Sequence, residues 1–150
     1  MRKKIEWTFT EIVNTKGKNT VIGCICKHHT ISQEEFNNII KPIIFKLKTE
    51  NKPCHTLGDF NMDLLKIEKD KDMLDYLDIF TNSNSMSLIT LPTRITNSSK
   101  TWIDNIFCNQ FSRDIVSGNI TVSISDHIPQ FAIIPFPNRI KRDCKQKHTT

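Results

Sequence analysis

The sequence holds no run approaching the roughly 18 consecutive apolar residues of a membrane span, so no transmembrane helix is expected. Its start, Met1-Arg2-Lys3-Lys4-Ile5-Glu6-Trp7, has the basic character of a secretory leader but not the apolar stretch that must follow. The Asn-x-Ser/Thr triplets at Asn97 and Asn119 therefore read as chance rather than as glycosylation sites. There are four glycines, and they never gather into a phosphate-cradling loop. No Cys-x-x-Cys pair occurs, no serine stands in a nucleophile-elbow pattern, and no segment repeats. The cysteines (Cys24, Cys26, Cys54, Cys108 and Cys144) are odd in number and lie in or near apolar runs. Reduced thiols suit them better than a disulfide framework, and an intracellular location, nuclear or cytoplasmic, is expected.

Charge of one sign is absent from the body of the chain. The net charge is +5, yet residues 1–4 carry three positive charges and residues 138–150 a net of four. The remainder holds 13 basic against 15 acidic residues. Basic ends favour polyanions through counterion release, and they equally suit a solvated tail. The length fits one domain with a real core, placed at 5–136, followed by a basic tail at 137–150 that is expected to be disordered.

Along the chain, residues 5–13 alternate loosely and predict a strand. Gly17-Lys18-Asn19 is a turn and residues 20–26 a buried-type strand, which together make a hairpin. Were that strand to continue, Cys24, Cys26 and His28 would share a face, and a zinc site is conceivable. Two cysteines on a core strand more often serve as small hydrophobes. Ser32-Gln33-Glu34-Glu35 is a capping box, and Phe36, Ile39, Ile40, Ile43, Ile44 and Leu47 recur at helical spacing. Pro42 should kink or divide that helix. Residues 53–57 predict a strand, and Asp63 a loop residue or cap with a metal role left open. Residues 70–83 predict a helix with Met73, Leu74, Leu77 and Phe80 inward. Short strands follow at Ser87–Leu91, Thr101–Cys108 and 113–124, with Phe131–Ile134 closing the sheet. Residues 92–100 read as a polar stretch, where Arg94 and Lys100 could touch a phosphate or simply face water. The alternation argues an α/β sheet architecture.

Three stretches set chemistry-bearing groups against apolar segments. Cys54–Asp63 ends a short apolar run at Leu57, then offers Gly58, Asp59 and Asn61. If the strand ran on, Asp59 and Asn61 would share a face. A carboxylate there could hold a hard metal ion or take a proton from water, and an amide could orient that water or a phosphate oxygen. A turn explains the same residues. Thr101–Phe107 carries one carboxylate, Asp104, which is costly to bury unpaired. His127, in Ile124–Phe131, is an available partner.

Gly58-Asp59-Phe60-Asn61, Pro92-Thr93-Arg94, Ile103-Asp104-Asn105-Ile106-Phe107 and Ser125-Asp126-His127-Ile128-Pro129 stand in this order and at characteristic spacing. Together they resemble the endonuclease/exonuclease/phosphatase family, and most of all the endonuclease domains of non-LTR retrotransposons, from about Glu6 to about Pro135. The resemblance implies an α/β fold that is part of a four-layer α/β sandwich, with the N-terminal half missing. It implies phosphodiester hydrolysis with Mg²⁺ or Mn²⁺, DNA as partner, no membrane, and a place in a longer polyprotein with reverse transcriptase. Asp59 would activate the attacking water and Asn61 orient it or the phosphate. His127 would bond a phosphate oxygen, Asp104 would hold the imidazole, and Asp126 would help bind the metal. Arg94 and Lys100 would meet the substrate.

Two departures accompany this likeness. The family's tyrosine motif, Tyr-Arg-Pro-Pro, is replaced by Cys26-Lys27-His28-His29. The family's Asn and metal-binding Glu precede the segment matched here, and neither Glu6 nor Glu11 has their surroundings. A truncated enzyme, an inactive remnant and a nucleic-acid-binding module without catalysis are the open readings.

Overall fold

The computed structural model describes residues 5–15, 17–122 and 124–135; the basic ends, including the tail at 137–150, lie outside them. β1 (Ile5–Ile12) and β2 (Thr20–Lys27) form the expected antiparallel hairpin, with Trp7 opposite Ile25 and Glu11 opposite Val21. β2 runs parallel to β3 (Cys54–Asp59), which requires a crossover, and α1 (Gln33–Thr49) supplies it. β3 then pairs antiparallel with β7 (Asp104–Cys108), and β4 (Met86–Ser87) takes the other edge of β7. The strand order is β1-β2-β3-β7-β4.

α1 begins at its capping box, where Ser32 Oγ accepts the Glu35 N–H at 3.2 Å. It runs unbroken through Pro42 rather than dividing there. Pro42 and Asn38, whose carbonyl loses its helical partner, both face solvent, so water can satisfy what the proline cannot. α2 (Lys71–Thr81) is capped by Asp70, whose Oδ1 accepts the Asp72 N–H at 3.0 Å. Its inward face is Met73, Tyr76, Ile79 and Phe80, not the predicted stripe through Leu74, which is 47% exposed. The aromatic ring of Tyr76 decides the phase, because it seats against Phe36, Phe60, Phe80 and Phe107.

Both helices cover one face of the sheet. Phe60, fully buried, meets Phe80 and Phe107 edge-on at 5.8 and 5.6 Å, and those two rings stack at 3.7 Å. On the opposite face β2 presents Ile22, Cys24 and Cys26, while Val21, Gly23, Ile25 and Lys27 point inward and are buried. The two thiols are thus exposed rather than core hydrophobes. β2 stops at Lys27, so His28 leaves its alternation. The zinc arrangement of Cys24, Cys26 and His28 does not form among the described residues.

The last strands depart from expectation. β8 (Val116–Asn119) is shorter than 113–124, and β9 (Gln130–Ile133) pairs with it in a separate ribbon instead of closing the main sheet. β9 pairs along β8 from Asn119 opposite Gln130 to Val116 opposite Ile133, and neither strand joins the main sheet. The segment expected as a strand at Ser87–Leu91 shortens to β4, because Ser87 Oγ donates to Ile89 O at 2.5 Å and the chain turns away. The polar stretch becomes a small hairpin of β5 (Arg94–Ile95) and β6 (Lys100–Thr101), closed by Thr96 N–H to Ser99 O at 2.9 Å. Among the described residues no helix is long and apolar enough to cross a membrane.

Candidate active site

The end of β3 is shaped by a close approach. Gly58 has φ +145°, and a Cβ there would collide with the carbonyl oxygen of Ile25 on β2. Asp59 follows as the last strand residue. Phe60 turns into the core and donates its N–H to Ile103 O at 2.9 Å, which ties this bend to the entry of β7. Asn61 is left-handed, with φ 46°, so the strand does not continue through it. The alternation expected to put Asp59 and Asn61 on one face is therefore not what links them. Asn61 instead donates its main-chain N–H to Asp59 Oδ1 at 2.9 Å and its side-chain amide to Lys27 O at 2.7 Å. The turn reading of Gly58–Asn61 is realised.

Asp104, the first residue of β7, is in register with Asp59. Directly opposed residues of an antiparallel pair share a face, so the two carboxylates stand side by side on the face away from the helices. His127 reaches Asp104 from the segment before β9. Its Nδ1 lies 3.2 and 3.1 Å from the two carboxylate oxygens. A carboxylate only accepts, so Nδ1 carries the hydrogen and Nε2 is the nitrogen Asp104 leaves disengaged. Asp59, Asp104 and His127 each offer a ligand atom, all within 4.8 Å of one another.

Burial pushes the Asp59 carboxyl above its ordinary range; the Asp104 charge adds to this, while the Asn61 N–H, His127 and Arg94 oppose it. Burial likewise raises the Cys26 thiol, with Asp59 contributing next. Cys26 thus stands near the carboxylates, and the sequence's single tyrosine, Tyr76, lies in the core.

No family model matches the sequence, and no curated protein matches it significantly. Solved structures do. The endonuclease domain of TRAS1, a telomere-specific non-LTR retrotransposon, aligns with TM-score 0.61 at 16% identity, over 91% of this chain and 70% of that one. An endonuclease/exonuclease/phosphatase family protein from Leptotrichia buccalis aligns with TM-score 0.59 at 15% identity, over 87% and 54%. This chain has the endonuclease/exonuclease/phosphatase fold. A beta toxin mutant from Staphylococcus aureus, solved with bound magnesium ions, aligns with TM-score 0.56 at 16% identity, over 84% and 56%. The chain spans a little over half the length of the latter two structures.

On this endonuclease/exonuclease/phosphatase fold the expected residues separate into two groups. Asp59, Asp104 and His127 converge, with Asn61 bound to Asp59 through its main chain. Asp126 does not join them. Its Oδ2 accepts Arg94 Nε at 2.7 Å, with both side chains about two-fifths exposed, and the guanidinium holds its carboxyl below the ordinary range. Lys100 is exposed on the β5–β6 hairpin. Asp63 serves as a cap: its Oδ1 accepts the N–H of Leu65 at 3.3 Å and of Trp102 at 2.9 Å. Thr93 is the residue that sequence reasoning passed over. It is fully buried, and its hydroxyl oxygen accepts the N–H of Ile103 at 3.1 Å and of Asp104 at 2.9 Å. Its only sequence signal was a place in the Pro92-Thr93-Arg94 motif.

Proposed function

We propose that the chain carries the site of a divalent-metal-dependent phosphodiesterase that nicks DNA. The observation that carries this reading is the convergence of Asp59, Asp104 and His127 from three separated stretches to within 4.8 Å. The donor set fits Mg²⁺ or Mn²⁺. The two facing carboxylates are oxygen ligands of the kind such ions take, and the raised Asp59 carboxyl marks a charge that a cation would stabilise. Bound there, the ion supplies neutralisation of phosphate charge and polarisation of the scissile bond.

The chain's own groups divide the remaining work. Asp59 takes the proton of the water that attacks phosphorus, held in place by the Asn61 N–H, and Asn61 orients that water through its side-chain oxygen or the phosphate through the second hydrogen of its amide. His127, held through its Nδ1–H by Asp104, donates from Nε2–H to a phosphate oxygen as charge builds when the ring carries both protons. Arg94 and Lys100 meet flanking phosphates, and Asp126, outside the converging group and paired with Arg94, would help hold the metal through its water shell. The likeness to a retrotransposon endonuclease domain supports an origin in such an element, within a longer polyprotein that includes reverse transcriptase.

A second reading, a retained scaffold without turnover, is favoured by Cys26 at the tyrosine's place. Nicking of supercoiled plasmid with Mg²⁺ and with chelator, beside Asp59→Ala and His127→Ala, separates them. Mg²⁺-dependent nicking lost in both variants supports the enzyme. A folded chain that nicks no faster than its variants is the scaffold. Salt-sensitive DNA binding that persists without metal marks a binding module instead.

A further inference from the structure

Thr93 joins the elements that hold Asp104 and His127. Besides the two N–H groups its hydroxyl accepts, its carbonyl accepts the N–H of Ile128 at 2.7 Å, and Ile128 directly follows His127. Its own N–H donates to Thr101 O at 2.9 Å. The strand that begins with Asp104, the hairpin strand beside it and the segment bearing His127 are thus fastened to one buried residue. Next to it, Arg94 forms a β-bridge with His127, and Ile95 N–H donates to Asp126 O at 2.8 Å.

The hydroxyl matters more than the shape. Valine would fill the same volume, yet it would strand two buried N–H groups at the start of β7 without an acceptor. The chain can relieve that only by moving Ile103 and Asp104, and Asp104 is the carboxylate that grips the imidazole. A displacement of about 1 Å is enough to weaken a catalytic arrangement by about a hundredfold. Serine keeps the oxygen and loses only the methyl.

We infer that Thr93 is a positioning residue for the Asp104–His127 pair, acting on Asp104 through its hydroxyl and on His127 through its carbonyl. Its effect on rate rests on the hydrolase reading above; its effect on the pair does not.

The test compares the full chain with Thr93→Val and Thr93→Ser by three measurements. They are the melting temperature, the NMR resonance of the His127 ring Nδ1–H held against Asp104, and Mg²⁺-dependent plasmid nicking resolved into kcat and KM. The expected result is loss of the ring N–H resonance in Thr93→Val, with kcat down about tenfold or more and KM for DNA within about twofold. Thr93→Ser should recover the resonance and bring kcat to within about threefold of the parent. A folded Thr93→Val that keeps the resonance overturns the inference, as does a serine variant impaired as much as valine. So does a parent chain that lacks the resonance. If valine prevents folding, Thr93→Cys against Thr93→Ser decides in the same way, since sulfur is only a weak acceptor. If the resonance behaves as expected while the parent nicks no faster than Asp59→Ala, the positioning role stands and the hydrolase reading falls.

Discussion

Asp104 faces the imidazole of His127 with both carboxylate oxygens, at 3.2 and 3.1 Å from Nδ1, across 23 residues of sequence. An acceptor-only group at that nitrogen fixes which nitrogen is free to act. Asp104→Asn keeps the size but can present an amide N–H to Nδ1 and so favours the other tautomer. The expected loss is about 10²–10⁴-fold in single-turnover nicking. Because the pair acts as a unit, Asp104→Asn with His127→Ala should be little worse than the more damaging single change. Additive losses would show that the two residues work independently.

Asp59 gives a prediction about pH. Its carboxyl is raised by burial and then by Asp104, so the folded chain holds that proton more tightly than the unfolded chain. The stability this contributes is complete below the ordinary carboxylate value and is lost as pH rises through the raised one. At pH 7 the ionised group works against the fold. Asp59→Asn keeps an acceptor for the Asn61 N–H, so it should melt higher than the parent at pH 7, with the gap closing below about pH 4. Mg²⁺ should raise the melting temperature of the parent more than that of Asp59→Asn. Melting curves over this range, with and without Mg²⁺, check both statements, and a lower neutral-pH melting point for Asp59→Asn contradicts the first.

Gly58 and Phe60 flank that carboxylate and test how the fold holds it. Gly58→Ala forces a Cβ against the Ile25 carbonyl at a positive φ, with an expected cost of about 2–4 kcal/mol. Phe60→Ala empties the centre of the aromatic cluster and should cost about 3–5 kcal/mol, whereas Phe60→Leu should cost about 1–2. Urea unfolding midpoints measure all three.

The Arg94–Asp126 pair should behave differently. Both side chains are substantially exposed, so Arg94→Ala is expected to change stability by less than about 1 kcal/mol. If Arg94 meets a phosphate, the same change should reduce the slope of DNA affinity against salt by about one. Filter binding at several salt concentrations reads that slope, and an unchanged value removes Arg94 from the interface.

Much of this arrangement is legible in the sequence where the signal is local. The capping box at Ser32, the β1–β2 hairpin and the strand that ends in Asp59 all follow from neighbouring residues. The Asp104–His127 pairing follows from the cost of burying a carboxylate alone. What escapes is set by distant neighbours. In Thr20–Lys27 both faces carry apolar or small residues, so alternation cannot say that the cysteines look outward. The phase of α2 depends on which ring fits between Phe60 and Phe107. β9 pairs with β8 in a ribbon of its own, a choice of partner that local alternation cannot make. Thr93 reads as an ordinary turn residue until the N–H groups it receives are located.

The left-handed turn at Asn61 and the meeting of positions 59, 104 and 127 have a consequence for descent. No short peptide holds the three groups, and none of the strands that bear them has the others as neighbours in sequence. A recombination crossover anywhere between Asp59 and His127 parts members of the centre. A fragment that ends before His127 or begins after Asp59 therefore carries no complete centre, and the β1–β2 hairpin belongs with it because Ile25 O and Lys27 O seat Gly58 and Asn61.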